Sequence, residues 1–254
     1  MSLRQSMKGM MTAGIFAVMS SDVPAEKPVA REETREAVQR ESTQIFEKDF
    51  ASYIQGKKIF IAGEDHGSQK DGQVFVRLLP VLKREGFTYI GIELDHDSEQ
   101  SIVDAYYQTG DRNAEAQIRK TQSGEDLLPI LDKAKELHMN VLCIDERKRK
   151  DGVKGNIEQE EWKTWWDHRE EEMFFRVQDV MKNPSKKMAI YIGSAHGATE
   201  KEIEFQNGVD ENGFPIMRSI RQPLGNRIIT QYGEKDVGII ELNGCHDSML
   251  VTCM

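Results

Sequence analysis

Short unbroken apolar runs alternate along this chain with longer stretches in which apolar residues recur every third or fourth position. The runs at 58–63 (Ile59, Phe60, Ile61, Ala62), 87–94, 141–144 and 188–192 have the length and composition of strands buried on both faces. Between them the helical rhythm is clear at 31–55 (Val38, Ile45, Phe46, Phe50, Ile54) and 72–84 (Val74, Phe75, Leu78, Leu79, Leu82), with Gly56 and Gly86 as stops. Residues 97–108, 127–138 and 157–181 are also read as helices. Past Glu200 the rhythm loosens into a loop rich in Gly, Pro and Asn, after which 227–231, 237–242 and 249–252 read as further strands. Strands alternating with helices predict an α/β fold: a central, mainly parallel (mixed) sheet with helices on both faces. No repeat or internal linker interrupts the pattern, so residues 31–254 are expected to form a single domain.

Residues 1–30 stand apart. Lys8 precedes a short apolar stretch, Met10 to Met19, and Val23-Pro24-Ala25 has the small-residue character of a cleavage site. The segment reads either as a disordered leader or as a weak signal peptide. The three cysteines, Cys143, Cys245 and Cys253, make no disulfide framework, which points to a reducing, cytoplasmic compartment. A signal peptide would instead give a secreted or periplasmic protein. The formal charge of -9 argues against nucleic acid as a partner, because phosphate binding wants a basic face. No apolar run reaches the roughly 18 to 20 residues of a transmembrane helix.

Candidate chemistry sits at the ends of the predicted strands. Phe60-Ile-Ala-Gly-Glu-Asp-His66-Gly67 and Tyr191-Ile-Gly-Ser-Ala-His196-Gly197 echo each other: a buried strand, then a glycine, then a His-Gly pair. Glycine permits a sharp turn and a close approach of backbone or ligand. A third strand ends in Ile92-Glu93-Leu94-Asp95. In a parallel sheet the carboxyl ends of strands form the ligand crevice. Glu64, His66, Glu93, Asp95 and His196 are therefore expected on one rim.

The long helix adds a separate argument. Trp162, Trp165, Trp166, Met173, Val177 and Val180 fall on one arc of about 120° at helical spacing. Arg169 lies at the centre of that arc and Arg176 near its edge. A buried guanidinium requires a carboxylate, and Glu64 and Glu93 are the expected partners. The alternative is an arginine that snorkels its head to water along the tryptophans.

Taken in order, Gly63-Glu-Asp-His66-Gly67, Glu93-Leu-Asp95, Asp167-His-Arg169-Glu170-Glu-Glu-Met173 and Gly193-Ser-Ala-His196 resemble the motifs of the erythromycin esterase (EreA)/ChaN/Tiki (TraB) superfamily over about residues 56–242. That superfamily includes macrolide esterases, metal-dependent Tiki proteases, haem-binding ChaN lipoproteins and Ras-cleaving toxin domains. The Glu64-x-His66 spacing is most similar to the metal-independent esterase- and toxin-type members. The resemblance implies an EreA/ChaN-like fold and a hydrolytic site on Glu64, His66, Glu93, Arg169 and His196. The reaction expected is cleavage of an ester or amide bond in a small-molecule or protein substrate. A toxin-type member would be a secreted effector protease acting on a host protein. His66 is the expected general base, oriented by Glu93 or Glu64. His196 or Arg169 would stabilise the oxyanion or protonate the leaving group. No cofactor is expected. The alternatives are a divalent metal on His66, Glu93 and His196, or haem bound in the manner of a ChaN-like protein.

Other residues are weaker candidates. Cys245, His246 and Asp247 are sequence neighbours whose side chains point apart. Arg147 to Lys150 reads as a solvated basic loop. His96 reads as an exposed loop histidine, and His138 and His168 show no partner.

Overall fold

The computed structural model describes residues 46–66, 68–121, 124–146, 159–209 and 215–242. In chain order these hold a helix over 46–54 (α1), β1 (Ile59–Glu64), α2 (Gln69–Arg84), β2 (Tyr89–Asp95), α3 (His96–Thr109), α4 (Arg112–Ile118), α5 (Gly124–Glu136) and β3 (Asn140–Asp145). They continue with α6 (Gln159–Met181), β4 (Met188–Gly193), the short α7 (Ser194–Gly197), β5 (Glu202–Val209), β6 (Pro215–Arg221), α8 (Leu224–Tyr232) and β7 (Val237–Glu241).

Five strands form one sheet in the order β3-β2-β4-β1-β7, and every pairing in it is parallel. Strands β1 and β4 are buried along their whole length. Their unbroken apolar sequences follow from that, because both faces are covered. Alternation assigns the faces. Phe60, Ala62, Ala189 and Tyr191 enter one core with Phe50, Phe75, Leu78, Val103 and Leu131 of α1, α2, α3 and α5. Ile59, Ile61, Met188, Ile190 and Ile192 enter the other with Met173 and Val177 of α6 and Leu224 and Ile228 of α8. Burial of each such large aliphatic side chain stabilises by about 1.5–3 kcal/mol. A smaller cluster packs Trp162 and Trp166 against Ile220, with Ile203 beside them, and so seats the β5–β6 pair on the first half of α6.

Two expectations past Glu200 are corrected. The segment read as loop holds the antiparallel pair β5–β6, a sheet of its own. Residues 227–231, expected as a strand, belong to helix α8. Leu224 and Ile228 are buried four residues apart, a helical interval, and Gly233 at φ 82 follows the last turn. Helix α4 was not anticipated. The leader, the Arg147–Lys150 run, Cys245 to Asp247 and the strand expected at 249–252 lie outside the described residues.

Among the described glycines, Gly225 of α8 leaves the least room for a side chain, against the segment after β4. A Cβ on Gly225 would lie 2.1 Å from the Gly197 carbonyl oxygen and 2.6 Å from that of Ala198. Gly225→Ala is expected to lower stability by about 3 kcal/mol, read as a shifted denaturant midpoint.

Candidate active site

Parallel pairing brings the carboxyl ends of four neighbouring strands to one edge of the sheet, and each delivers part of a charged cluster. Glu64 ends β1, Glu93 lies near the end of β2, Asp145 ends β3 and Gly193 ends β4. All three carboxylates are buried, at 2%, 6% and 0% exposure respectively. A buried carboxylate costs several kcal/mol unless cations or N–H donors surround it. Helix α6 supplies the main cation.

Arg169 is 6% exposed, so it does not snorkel to water. Its Nε donates to Asp145 Oδ1 at 2.5 Å, and its Nη2 donates to Asp145 Oδ2 at 2.6 Å and to Glu93 Oε1 at 2.7 Å. Of the two expected partners, Glu93 is therefore found and Glu64 is replaced by Asp145. The guanidinium also lies over Trp166, its Cζ 4.8 Å from the ring centroid. Arg176, at the edge of the apolar arc, pairs instead with Glu146 at 3.3 Å and Glu172 at 3.8 Å.

Glu64 belongs to His66. Its Oε1 lies 2.5 Å from His66 Nδ1, while His66 Nε2 is 3.7 Å from Glu93 Oε1. The close carboxylate selects the tautomer in which Nδ1 carries the proton, leaving the Nε2 lone pair free when the ring is neutral. His196 makes a parallel arrangement at depth. Its Nδ1 bonds Glu170 Oε1, its Nε2 is 3.4 Å from Glu93 Oε1, and its ring stacks on Trp166 at 5.2 Å and 4°. Glu170 Oε2 also accepts from the Leu224 backbone N–H at 2.7 Å, at the start of α8. The five residues expected from sequence thus come together, and Glu93 touches or faces three of the others.

Sequence reasoning missed Asp145 and Glu170. Asp145 carries the same signal as Glu93, an acid where an apolar strand stops. Glu170 sits four residues after Trp166 and three before Met173, on the buried stripe, within a run of three glutamates. Asp95, expected on the rim, caps α3: its Oδ1 accepts from Ser98 N at 2.8 Å and Ser98 Oγ at 2.6 Å. His96 begins α3, 3.5 Å from the exposed Asp97.

The charges bias one another strongly. Burial would raise the Glu93 carboxyl, but His196, Arg169 and His66 outweigh it and hold Glu93 well below the usual carboxylate range. Burial also works against a charged His196, yet Glu170 and Glu93 together raise it from 6.5 to about 9. His66 is raised as well, chiefly by its hydrogen bond to Glu64. Glu64 itself is pushed up by burial, with His66 working in the opposite direction.

Among the described residues, two groups of side chains come close enough for a cation to be considered. The first is Glu64, His66 and Glu93, with one atom from each lying within 4.8 Å of the others. It differs from the expected His66, Glu93 and His196 set, and the Arg169 guanidinium occupies Glu93 Oε1. The second is Glu146, His168 and Glu172, whose two acids are held by Arg176. A cavity of about 720 Å³ opens beside α6 between Asp167, His168, Lys201, Arg221 and Arg227, and none of the five site residues lines it.

No protein-family model matches this sequence, and no curated protein matches it. Solved structures do resemble the fold. One described as bacterial protein toxins aligns over 77% of this chain and 36% of its own, with 19% identity and a TM-score of 0.50. RRSP, a MARTX toxin effector domain from Vibrio vulnificus, aligns over 77% of this chain and 35% of its own, with 20% identity and a TM-score of 0.43. The C-terminal region of Pasteurella multocida toxin, described as carrying a thiol-protease-like catalytic triad, covers 78% of this chain with 13% identity and a TM-score of 0.47. The match spans 24% of that chain. The first of these likenesses shows a shared fold. Among the described residues no helix is long and apolar enough to cross a membrane.

The cluster has measurable consequences for stability. Arg169→Met takes the guanidinium away from two buried carboxylates, Glu93 and Asp145, and is expected to cost about 3–5 kcal/mol in denaturant unfolding. Because His196 has a higher proton affinity folded than unfolded, its charge stabilises fully below pH 6.5, and this is lost as pH rises through about 9. The difference corresponds to about 3 kcal/mol. Thermal melts of the wild type should therefore fall across that window, and those of His196→Asn should fall less.

Proposed function

We propose that this chain is a hydrolase of an ester or amide bond in which His66 activates water. The observation that carries the reading is the His66–Glu64 pair: an imidazole 34% exposed, its Nδ1 held 2.5 Å from a carboxylate that is only 2% exposed. His196, at 4% side-chain exposure, is sealed inside the cluster. Of the two histidines in this cluster, His66 is the one a substrate can reach.

In the proposed reaction Nε2 of neutral His66 takes a proton from water as the water oxygen adds to the carbonyl carbon. Glu64 accepts the Nδ1–H bond throughout and stabilises the imidazolium that forms. The Nε2 proton then passes to the leaving alkoxide or amine as the carbon–heteroatom bond breaks. Arg169 and protonated His196 lie behind Glu93 and supply positive potential for the oxyanion, without needing to touch it. The reading is metal-free. Arg169 and a His196 that favours its charged form both oppose a divalent cation beside Glu93.

A protein is the substrate class to test first, because the order of motifs resembles the toxin-type members, and a structure described as bacterial protein toxins shares the fold. A host protein cleaved by a secreted effector follows the same line. The order of motifs supports kinship with the Ras-cleaving-toxin-like members of the EreA/ChaN/Tiki superfamily.

The test is a screen of esters, peptides and host-cell proteins with the wild type beside His66→Ala. On any substrate cleaved, His66→Ala should lower kcat/KM by about 10² to 10⁴ and leave the fold intact. Dialysis against a chelator should leave the wild-type rate unchanged. The rate should rise with pH through a midpoint above 6.5, because the base must be neutral and its proton affinity is raised. Glu64→Gln should move that midpoint down. Undiminished cleavage by His66→Ala would end the assignment.

A further inference from the structure

The His66–Glu64 pair has a second, inner side. Glu64 uses Oε1 for His66, whereas its Oε2 is buried and has no hydrogen-bond partner among the described residues. The Tyr191 hydroxyl, on a side chain 1% exposed, is in the same condition. The two side chains lie on the same face of neighbouring parallel strands. Ala62 pairs with Tyr191 and Glu64 with Gly193, so the carboxylate and the phenol are diagonal neighbours beneath α2. Phe75 of α2 packs on the Tyr191 ring at 5.0 Å. The buried Asp71 and Asp126 complete the polar lining: Tyr191 lies in the field of Glu64, Asp126 and Asp71, and Glu64 in that of His66, Glu93 and Asp126.

A buried hydroxyl and a buried carboxylate oxygen are seldom left without partners. With burial opposing ionisation, and three acids around it adding to the effect, the phenol keeps its proton and acts as a donor. Internal water commonly links such groups where a polar pocket offers two or more partners. We infer that Tyr191 is a positioning residue of the His66–Glu64 pair, its hydroxyl donating through one enclosed water to Glu64 Oε2. Glu64 is then held from both ends, Oε1 by the imidazole and Oε2 by the water, as an oriented anion. The role in catalysis rests on the hydrolase reading; the linkage itself does not.

The test is therefore a titration without substrate. Histidine-labelled wild type, Tyr191→Phe and Phe75→Leu are followed by NMR across the His66 transition, and Tyr191→Phe removes only the hydroxyl. Losing the donor leaves Glu64 a stronger acceptor for the Nδ1 proton. The His66 midpoint should rise by about half a pH unit or more in Tyr191→Phe. It should stay put in Phe75→Leu, which loosens packing around the same ring but keeps the hydroxyl. The thermal midpoint of Tyr191→Phe should fall, as expected when a partnered buried hydroxyl is removed. An unmoved His66 titration, or an equal shift in both variants, overturns the inference, as does a thermal midpoint that rises. On a cleaved substrate the acid limb should follow the His66 midpoint. A shifted titration in a protein that cleaves nothing would sink the hydrolase reading and leave the Tyr191 linkage standing.

Discussion

One buried carboxylate organises this molecule's charged edge. Glu93 Oε1 accepts from Arg169 and faces His66 and His196, while Oε2 accepts the Gly193 backbone N–H at 2.8 Å. An anion placed that deep is tolerated because helix, strand end and loop all bring positive charge or donors to it. The dependence is mutual. Without Glu93, Arg169 keeps Asp145 as its side-chain hydrogen-bond partner among the described residues, and both imidazoles lose part of the field that favours their protonated forms. The crowding also explains Gly193, where a Cβ would come within 3.0 Å of His66 Nε2 and 3.2 Å of Glu93 Oε2.

The sheet places this cluster where it is. Parallel strands put all their carboxyl ends on one side, and the order β3-β2-β4-β1 sets Asp145, Glu93, Gly193 and Glu64 in a row. Helices α2, α3 and α5 connect β1, β2 and β3 across one face, and α6 then crosses the other face to reach β4. That change of face is the topological feature that opens a crevice in doubly wound sheets. Arg169 and Glu170 enter from α6, and His66 arches over from the β1 end, so the site joins both faces.

Much of this was legible in the sequence because its causes are local or periodic. Ile59 to Ala62 and Met188 to Ile192 could be read as central strands because burial on both faces leaves no polar alternation. Arg169 announced itself as a charge within an apolar stripe. Asp145 and Glu170 escaped for different reasons. Asp145 is followed by Glu146 and a basic run, which disguises a strand-end acid as loop. Glu170 has two glutamate neighbours, and only the helical angle relative to Trp166 and Met173 separates the inward acid from the outward ones. Helix α8 was misread because the adjacent Ile228 and Ile229 suggest a strand, while the helical pairing of Leu224 with Ile228 spans a wider window. The β5–β6 pair was missed although Glu202-Ile-Glu-Phe-Gln206 alternates in strand fashion, because the Gly, Pro and Asn around it dominated the reading.

The central claim is that one carboxylate couples both histidines into a single charged site. Following the His66 and His196 ring signals by NMR across pH, in the wild type and in Glu93→Gln, tests it most directly. If Glu93 is the shared anion, both midpoints fall in the variant. A variant in which either histidine titrates as it does in the wild type would contradict the account.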